Sequence, residues 1–133
     1  MKPKYRLLNT EELKTLEKEF VEFLVVNGIT AEDWESIKKE APQKADEVLV
    51  LFSDVILEGS LRKIEYLKKT DGKELYYFKF GAQEAFLIWV TQEEGRPVIK
   101  KTVKKYKTTR EHELFYHLQQ GCEIDKQALF EQF

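Results

Sequence analysis

The sequence predicts an α+β protein with three N-terminal helices, a small antiparallel sheet of three or four strands, and two C-terminal helices. Two observations support this class. Before Gly59 the apolar residues recur at helical spacing, most clearly in the continuous apolar stretch ADEVLVLFSDVILE at residues 45–58. After Gly59, short runs of β-branched and aromatic residues alternate with turn residues. We therefore expect the helix at residues 45–58 to form the centre of the core, with the other elements packed around it.

Capping residues mark the N-terminal helices. Thr10, followed by two glutamates, predicts the start of the first helix, and Asn27 with Gly28 predicts its end. Thr30, with an aspartate three residues later, predicts a capping box and a second, short helix. Pro42 suits the first turn of a helix and therefore predicts where the third helix opens.

The strands follow from composition and turn signals. We expect strands at residues 62–69, 74–80 and 85–91, with Asp71-Gly72 as the hairpin turn between the first two. A loop is expected at residues 92–97. The segment VIKKTVKKYK at residues 98–107 fits an edge strand and a short helix equally well, so its structure stays open at this point.

Two helices are expected at the C-terminus. Thr109 can cap a helix over residues 110–120, and Gly121 predicts its end. Asp125 can cap a last helix over residues 126–133, whose leucine and phenylalanine side chains would close the core.

Length and composition indicate one globular domain spanning residues 1–133. Hydrophobic residues make up 42% of the 133 residues and charged residues 35%, which is normal for a globular protein. Cys122 is the only cysteine, so no intramolecular disulfide can form. The N-terminus lacks the apolar run of a signal peptide, and no stretch reaches the ~18 apolar residues of a membrane span. We therefore expect a cytoplasmic protein that does not bind membranes.

Charge is unevenly distributed along the chain. Residues 1–60 contain 8 Lys and Arg against 13 Asp and Glu, residues 61–110 contain 13 against 6, and residues 111–133 contain 1 against 5. Two interpretations remain open: the blocks attract one another within the fold, or a basic face binds an acidic partner.

The longest basic stretch without an acid runs from Arg96 to Arg110. It would attract phosphates, and Tyr106, with Tyr76 or Tyr77, could stack on bases. The chain is slightly acidic overall, however, and contains no nucleic-acid motif, so an edge strand protected by lysines is the other interpretation. The candidate nucleic-acid ligands are Lys100, Lys101, Lys104, Lys105 and Lys107.

A candidate metal site lies in the segment REHELFYH. Glu113 and His117 are four residues apart and share one face of the predicted helix, with His112 on another side. Two ligands are few for a metal, and the spacing of an HExxH motif is absent. Cys122 would have to fold back across a glycine turn to supply a third ligand. An exposed contact between Glu113 and His117 is the alternative interpretation, and we predict no cofactor.

Two stretches carry a resemblance to a known family: ITAEDWESIKKEAPQKADEVLVLFSDVILE and, later, TREHELFYHLQQGCEI. With them the chain resembles a small bacterial domain of unknown function of the Bacteroidetes type. The resemblance implies a bacterial cytosolic setting. It supplies no activity, cofactor or binding residue.

The absence of catalytic motifs and the uneven charge predict a non-enzymatic interaction module that binds another protein or itself. The first alternative is a nucleic-acid-binding protein that uses residues 96–110. The second is a metal-dependent enzyme that uses Glu113 and His117.

Overall fold

The computed structural model describes residues 1–133 and confirms the α+β class, with five α-helices and a five-stranded antiparallel sheet. The chain divides into two compact units, residues 1–59 and 60–133, and the expectation of a single domain stays a prediction. None of the helices combines the length and the hydrophobicity needed to cross a membrane. The elements are α1 Thr10–Thr15, α2 Glu17–Val26, α3 Ala31–Glu40, α4 Pro42–Arg62, β1 Tyr66–Asp71, β2 Glu74–Phe80, β3 Glu84–Glu93, β4 Arg96–Lys105, α5 Arg110–Gln119, β5 Glu123–Ile124 and a 3-10 turn at Leu129–Gln132.

The capping signals of the first unit are confirmed at α3 and displaced by one residue at α1. Thr30 Oγ1 accepts the N–H of Asp33 at 3.0 Å, and the Asp33 carboxylate accepts the N–H of Thr30 at 3.1 Å. At α1 the cap is Asn9 rather than Thr10, because the Asn9 side chain accepts the N–H of the third helical residue. The expected single first helix is divided at Leu16, where ψ is 21° and leaves the helical range.

The core of the first unit is built on α4, and the expectation that the remaining elements also pack around this helix stays a prediction. Phe52 is 1% exposed, and the rings of Phe20 and Phe23 lie 4.9 Å and 5.4 Å from it. Ser53 is also buried, and its hydroxyl accepts the N–H of Leu8 at 3.0 Å, which satisfies both groups. The helix begins at Pro42, as predicted, but it continues to Arg62, beyond the apolar stretch at residues 45–58.

The second unit contains the sheet, whose strand order is β4-β3-β2-β1-β5. The open question at residues 98–107 is resolved as a strand up to Lys105, because β4 pairs with β3 along its whole length, and Tyr106 and Lys107 follow the strand. Strand β1 starts at Tyr66 rather than at residue 62, because α4 still occupies that position. The expected loop at 92–97 is only a two-residue turn. The sheet has a fifth strand, β5, instead of the three or four strands expected.

The two faces of the sheet are covered by different C-terminal elements. Helix α5 lies on one face, where the His117 ring is 4.9 Å from Phe78. The 3-10 turn lies on the other, where Phe133 stacks on Tyr77 at 5.1 Å. The prediction of a second C-terminal helix over residues 126–133 is wrong, because only the 3-10 turn at Leu129–Gln132 forms there. The Asp125 carboxylate accepts two backbone N–H groups, from Gln127 and Leu129, and holds this segment in a turn.

Candidate functional site

Strand β4 forms the long free edge of the sheet. It pairs with β3 on one side only, and the opposite end of the sheet is the two-residue strand β5. Nine of the ten residues of β4 are exposed, and Val98 is half-buried. A long exposed edge strand offers unpaired backbone groups to other chains.

The hairpin turn determines which backbone groups of β4 face outward. Glu94 and Gly95 form the turn with φ of 52° and 75°, the left-handed values of a two-residue type I′ hairpin. The flanking residues Glu93 and Arg96 are then a hydrogen-bonded pair, and such pairs alternate along an antiparallel ladder. Every second residue from Arg96 therefore bonds to β3. The intervening residues direct their backbone groups outward: Pro97, Ile99, Lys101, Val103 and Lys105.

Other contacts in the sheet agree with this alternation. The N–H of Gly81 donates to the carbonyl of Glu84 at 2.9 Å, and the N–H of Phe80 donates to the carbonyl of Glu65 at 2.8 Å, as the same ladder requires. Pro97 fits as well, because a proline on an edge strand is tolerated where no N–H has to reach the neighbouring strand.

Ile99, Lys101, Val103 and Lys105 form what we call the β4 edge. Their side chains share one face of the sheet, since they alternate along the strand. Ile99 and Val103 are 51% and 52% exposed, and each is followed two residues later by a lysine. The predicted site contained the lysines and missed the two apolar residues. The sequence did show an apolar residue and a lysine alternating at every second position from residue 99 to residue 105. That alternation identifies an exposed face only when the segment is known to be an edge strand.

The other two lysines of β4 lie on the opposite face. Lys100 pairs in register with Trp89, and its Nζ is 4.9 Å from the Trp89 ring. It also lies 3.8 Å from a carboxylate oxygen of Glu93. Lys104 pairs in register with Ala85 and has no acidic cross-strand neighbour. The predicted lysine cluster is therefore divided between two faces.

The end of the predicted basic stretch has structural roles. Tyr106 hydrogen-bonds through its hydroxyl to the carbonyl of Gly81 at 2.7 Å, and burial raises its pKa to about 12. Arg110 donates to the carbonyls of Leu61 and Phe80, and more closely to that of Ile64. Its guanidinium therefore binds backbone of this chain and is not a phosphate ligand in this arrangement.

Glu113 and His117 lie on α5, as expected, but their surroundings differ from those of a metal site. The Glu113 carboxylate accepts the backbone N–H of Lys107 at 3.0 Å. The His117 ring packs among aromatic rings, and burial lowers its pKa, although Glu113 partly opposes this. His112 contacts Thr109 at the start of the helix. No group of three or more His, Cys, Asp or Glu side chains is placed to hold a metal ion, so the pair offers two ligands where catalytic zinc uses three.

A family of unknown function, DUF6495, matches residues 1–97. The chain belongs to this family. The DUF6495 match includes α1 to α4 and β1 to β3 and ends at the second residue of β4, so the β4 edge lies outside it. Searches of curated proteins and of solved structures found no match.

This DUF6495 chain also exposes an apolar groove in residues 1–59. Helices α2 and α3 enclose a volume of about 420 Å³, with Phe20 and Trp34 in its lining. Val21 and Val25 on its rim are 52% and 68% exposed. The lining offers apolar area without a defined direction or spacing for a ligand. The β4 edge defines direction, spacing and charge, and is therefore the more specific candidate.

Proposed function

We propose that this protein is a non-enzymatic interaction module that binds an extended segment of another protein along the β4 edge. The observation that carries the proposal is the ten-residue strand β4, whose outer backbone groups pair with no other strand. An extended segment can add to such an edge through backbone hydrogen bonds. Ile99 and Val103 place half-exposed apolar side chains beside those bonds and add contact area.

Charge favours a different protein over a second copy of this chain. Two β4 strands can pair about a two-fold axis centred at any residue from Lys100 to Val103. Each of these registers places at least one lysine directly opposite a lysine, for example Lys101 opposite Lys101 or Lys100 opposite Lys104. Like charges in directly opposite positions destabilise a strand pair. The lysines thus oppose self-pairing and accept an acidic partner.

Nucleic-acid binding by residues 96–110 is the second candidate, because the lysines also attract phosphates. Two features favour a protein ligand. The lysines of β4 are divided between the faces of the sheet. The three tyrosines considered for base stacking already stack within this chain: Tyr76 on Trp89, Tyr77 on Phe133 and Tyr106 on Phe80.

Cytoplasmic, bacterial origin is part of the same proposal. Its support is the single cysteine, Cys122, which is buried and whose thiol pKa is raised by burial, together with the sequence resemblance described above. A buried thiol of this kind is a small core residue and forms no disulfide within the chain.

The proposal is tested by a pair of variants at one residue of the β4 edge. Val103→Pro removes an outward N–H and no bond to β3, so the fold should be retained while strand addition is blocked. Val103→Thr keeps the N–H and the branched shape and is the matched control. The tagged wild type and both variants are used to capture partners from native lysate at moderate salt, with and without nuclease. Circular dichroism and thermal melting check that both variants fold.

The expected result is a near-stoichiometric protein that resists nuclease, is retained by Val103→Thr and is lost with Val103→Pro. Capture that is unchanged in folded Val103→Pro would contradict binding at the β4 edge. Captured material that disappears with nuclease would favour the nucleic-acid candidate. A wild type that dimerises, and that becomes monomeric in Val103→Pro, would show pairing between copies instead.

A further inference from the structure

The side chains of β4 specify the sequence of the segment that would pair with it, an inference that rests on the proposed function. In a strand pair, directly opposite residues place their side chains on the same face, about 5 Å apart. Each residue of β4 therefore selects the residue opposite it. The order along β4 is one apolar residue, two lysines and one threonine, then one apolar residue and two lysines, from Ile99 to Lys105.

The four lysines of β4 differ in whether an acidic residue of this chain already lies beside them. Lys101 pairs in register with Ile88 and Lys104 with Ala85, and neither lysine forms an ion pair within the chain. Lys105 pairs in register with Glu84, and Lys100 lies near Glu93. An incoming carboxylate therefore gains most opposite Lys101 and Lys104, one on each face of the sheet.

The apolar positions complete the pattern. Ile99 and Val103 are four residues apart, on the same face as Lys101 and Lys105, and each remains half-exposed. An apolar side chain opposite each would cover it, and cross-strand apolar pairs are a main source of sheet stability. Thr102 is compatible with many opposite residues.

We infer that the partner segment carries a four-residue repeat of two acidic residues, one apolar residue and one unrestricted residue. Read antiparallel to β4, the ideal segment is acid-acid-apolar-any-acid-acid-apolar. The acids must be adjacent, because adjacent residues of a strand lie on opposite faces and the lysines are also adjacent. A segment of the same composition with strictly alternating acids places all of them on one face and leaves two lysines without a partner.

The test uses two synthetic peptides of identical composition, EEVTEEVT and EVETEVET, each with blocked termini and a fluorescent label. Binding to the full chain is measured by fluorescence anisotropy at moderate salt. We expect EEVTEEVT to bind about tenfold more tightly or better, because it supplies the additional charge pairs, each of which contributes modestly. Added salt should reduce this difference, because the charges are exposed. Lys104→Gln should weaken the binding of EEVTEEVT more than that of EVETEVET, because only EEVTEEVT places a glutamate opposite Lys104.

The possible outcomes distinguish a failure of the inferred repeat from a failure of the β4 edge as the binding site. If both peptides bind equally and Val103→Pro abolishes both, the β4 edge is the binding site and the inferred repeat is wrong. If both bind and Val103→Pro changes neither, the repeat and the proposed edge are both wrong. If neither peptide binds, the inferred repeat is wrong. The capture experiment then decides independently whether the β4 edge binds a partner.

Discussion

Arg110 is predicted to stabilise the second unit through its backbone contacts. Its guanidinium donates to the Leu61 carbonyl at 3.4 Å and to the Phe80 carbonyl at 3.2 Å, and also to the Ile64 carbonyl. A hydrogen bond from a charged donor contributes roughly 1.5 kcal/mol at the low end of its range. Counting only the two closer contacts, those with Ile64 and Phe80, gives a stabilisation of roughly 3 kcal/mol. A cation at the first residue of α5 opposes the helix dipole by about 0.5 kcal/mol. Arg110→Ala should therefore lower the free energy of unfolding by about 2.5 kcal/mol.

Urea denaturation measures this change. Lys107→Ala is the matched control, because the side chain of Lys107 is exposed and its loss should change stability by no more than about 0.5 kcal/mol. Arg110→Lys should fall between the two, because a single ammonium cannot reach three carbonyls at once. If Arg110→Ala and Lys107→Ala have the same midpoint and slope, the reasoning is refuted and Arg110 is a solvated member of the basic stretch.

Two other predictions concern local structure. Arg6 holds the Glu12 carboxylate at 2.7 Å, and this hydrogen bond, with the backbone N–H of Asn9, lowers the pKa of Glu12 to about 2. Because the pKa of Glu12 is lowered in the folded state, its ionised carboxylate stabilises the fold at neutral pH, and this stabilisation is lost as the pH falls from about 4.5 to about 2. The difference in melting temperature between wild type and Glu12→Gln should therefore shrink over that range. Gly95 has φ of 75°, so Gly95→Ala should cost about 1 kcal/mol. Gly59 lies within α4 with no atom near its added Cβ, so Gly59→Ala should instead gain up to about 1 kcal/mol; equal effects of the two alanines on the urea midpoint would contradict this account.

Features set by neighbouring residues were predicted well from the sequence. The Thr30 capping box depends on side chains within a few residues and is confirmed. A hairpin turn between the first two strands is also confirmed, but it lies one residue later than predicted, at Gly72 and Lys73, because Asp71 pairs with Glu74. Helix α4 was also predicted, because its apolar periodicity is strong. Its C-terminal end was not, because Arg62 and its neighbours are compatible with either structure.

Features that depend on distant pairing could not be predicted. Strand β5 has two residues, and only its pairing with β1 makes it a strand. Residues 98–107 carried no decisive local signal, and pairing with β3 determines their conformation. The same limit applies to the candidate site. The lysines were visible in the sequence, whereas the exposure of Ile99 and Val103 and the inward role of Arg110 follow from the position of each in the fold.

Amide hydrogen exchange along β4 tests the central claim most directly. In the free protein the amides that bond to β3 should exchange slowly and the outward amides rapidly, in strict alternation. With saturating EEVTEEVT the rapid set alone should slow. Exchange that is uniform along the strand, or an outward set that the peptide does not slow, would contradict a free β4 edge that accepts a partner strand. The slow set is Val98, Lys100, Thr102 and Lys104, and the rapid set is Ile99, Lys101, Val103 and Lys105.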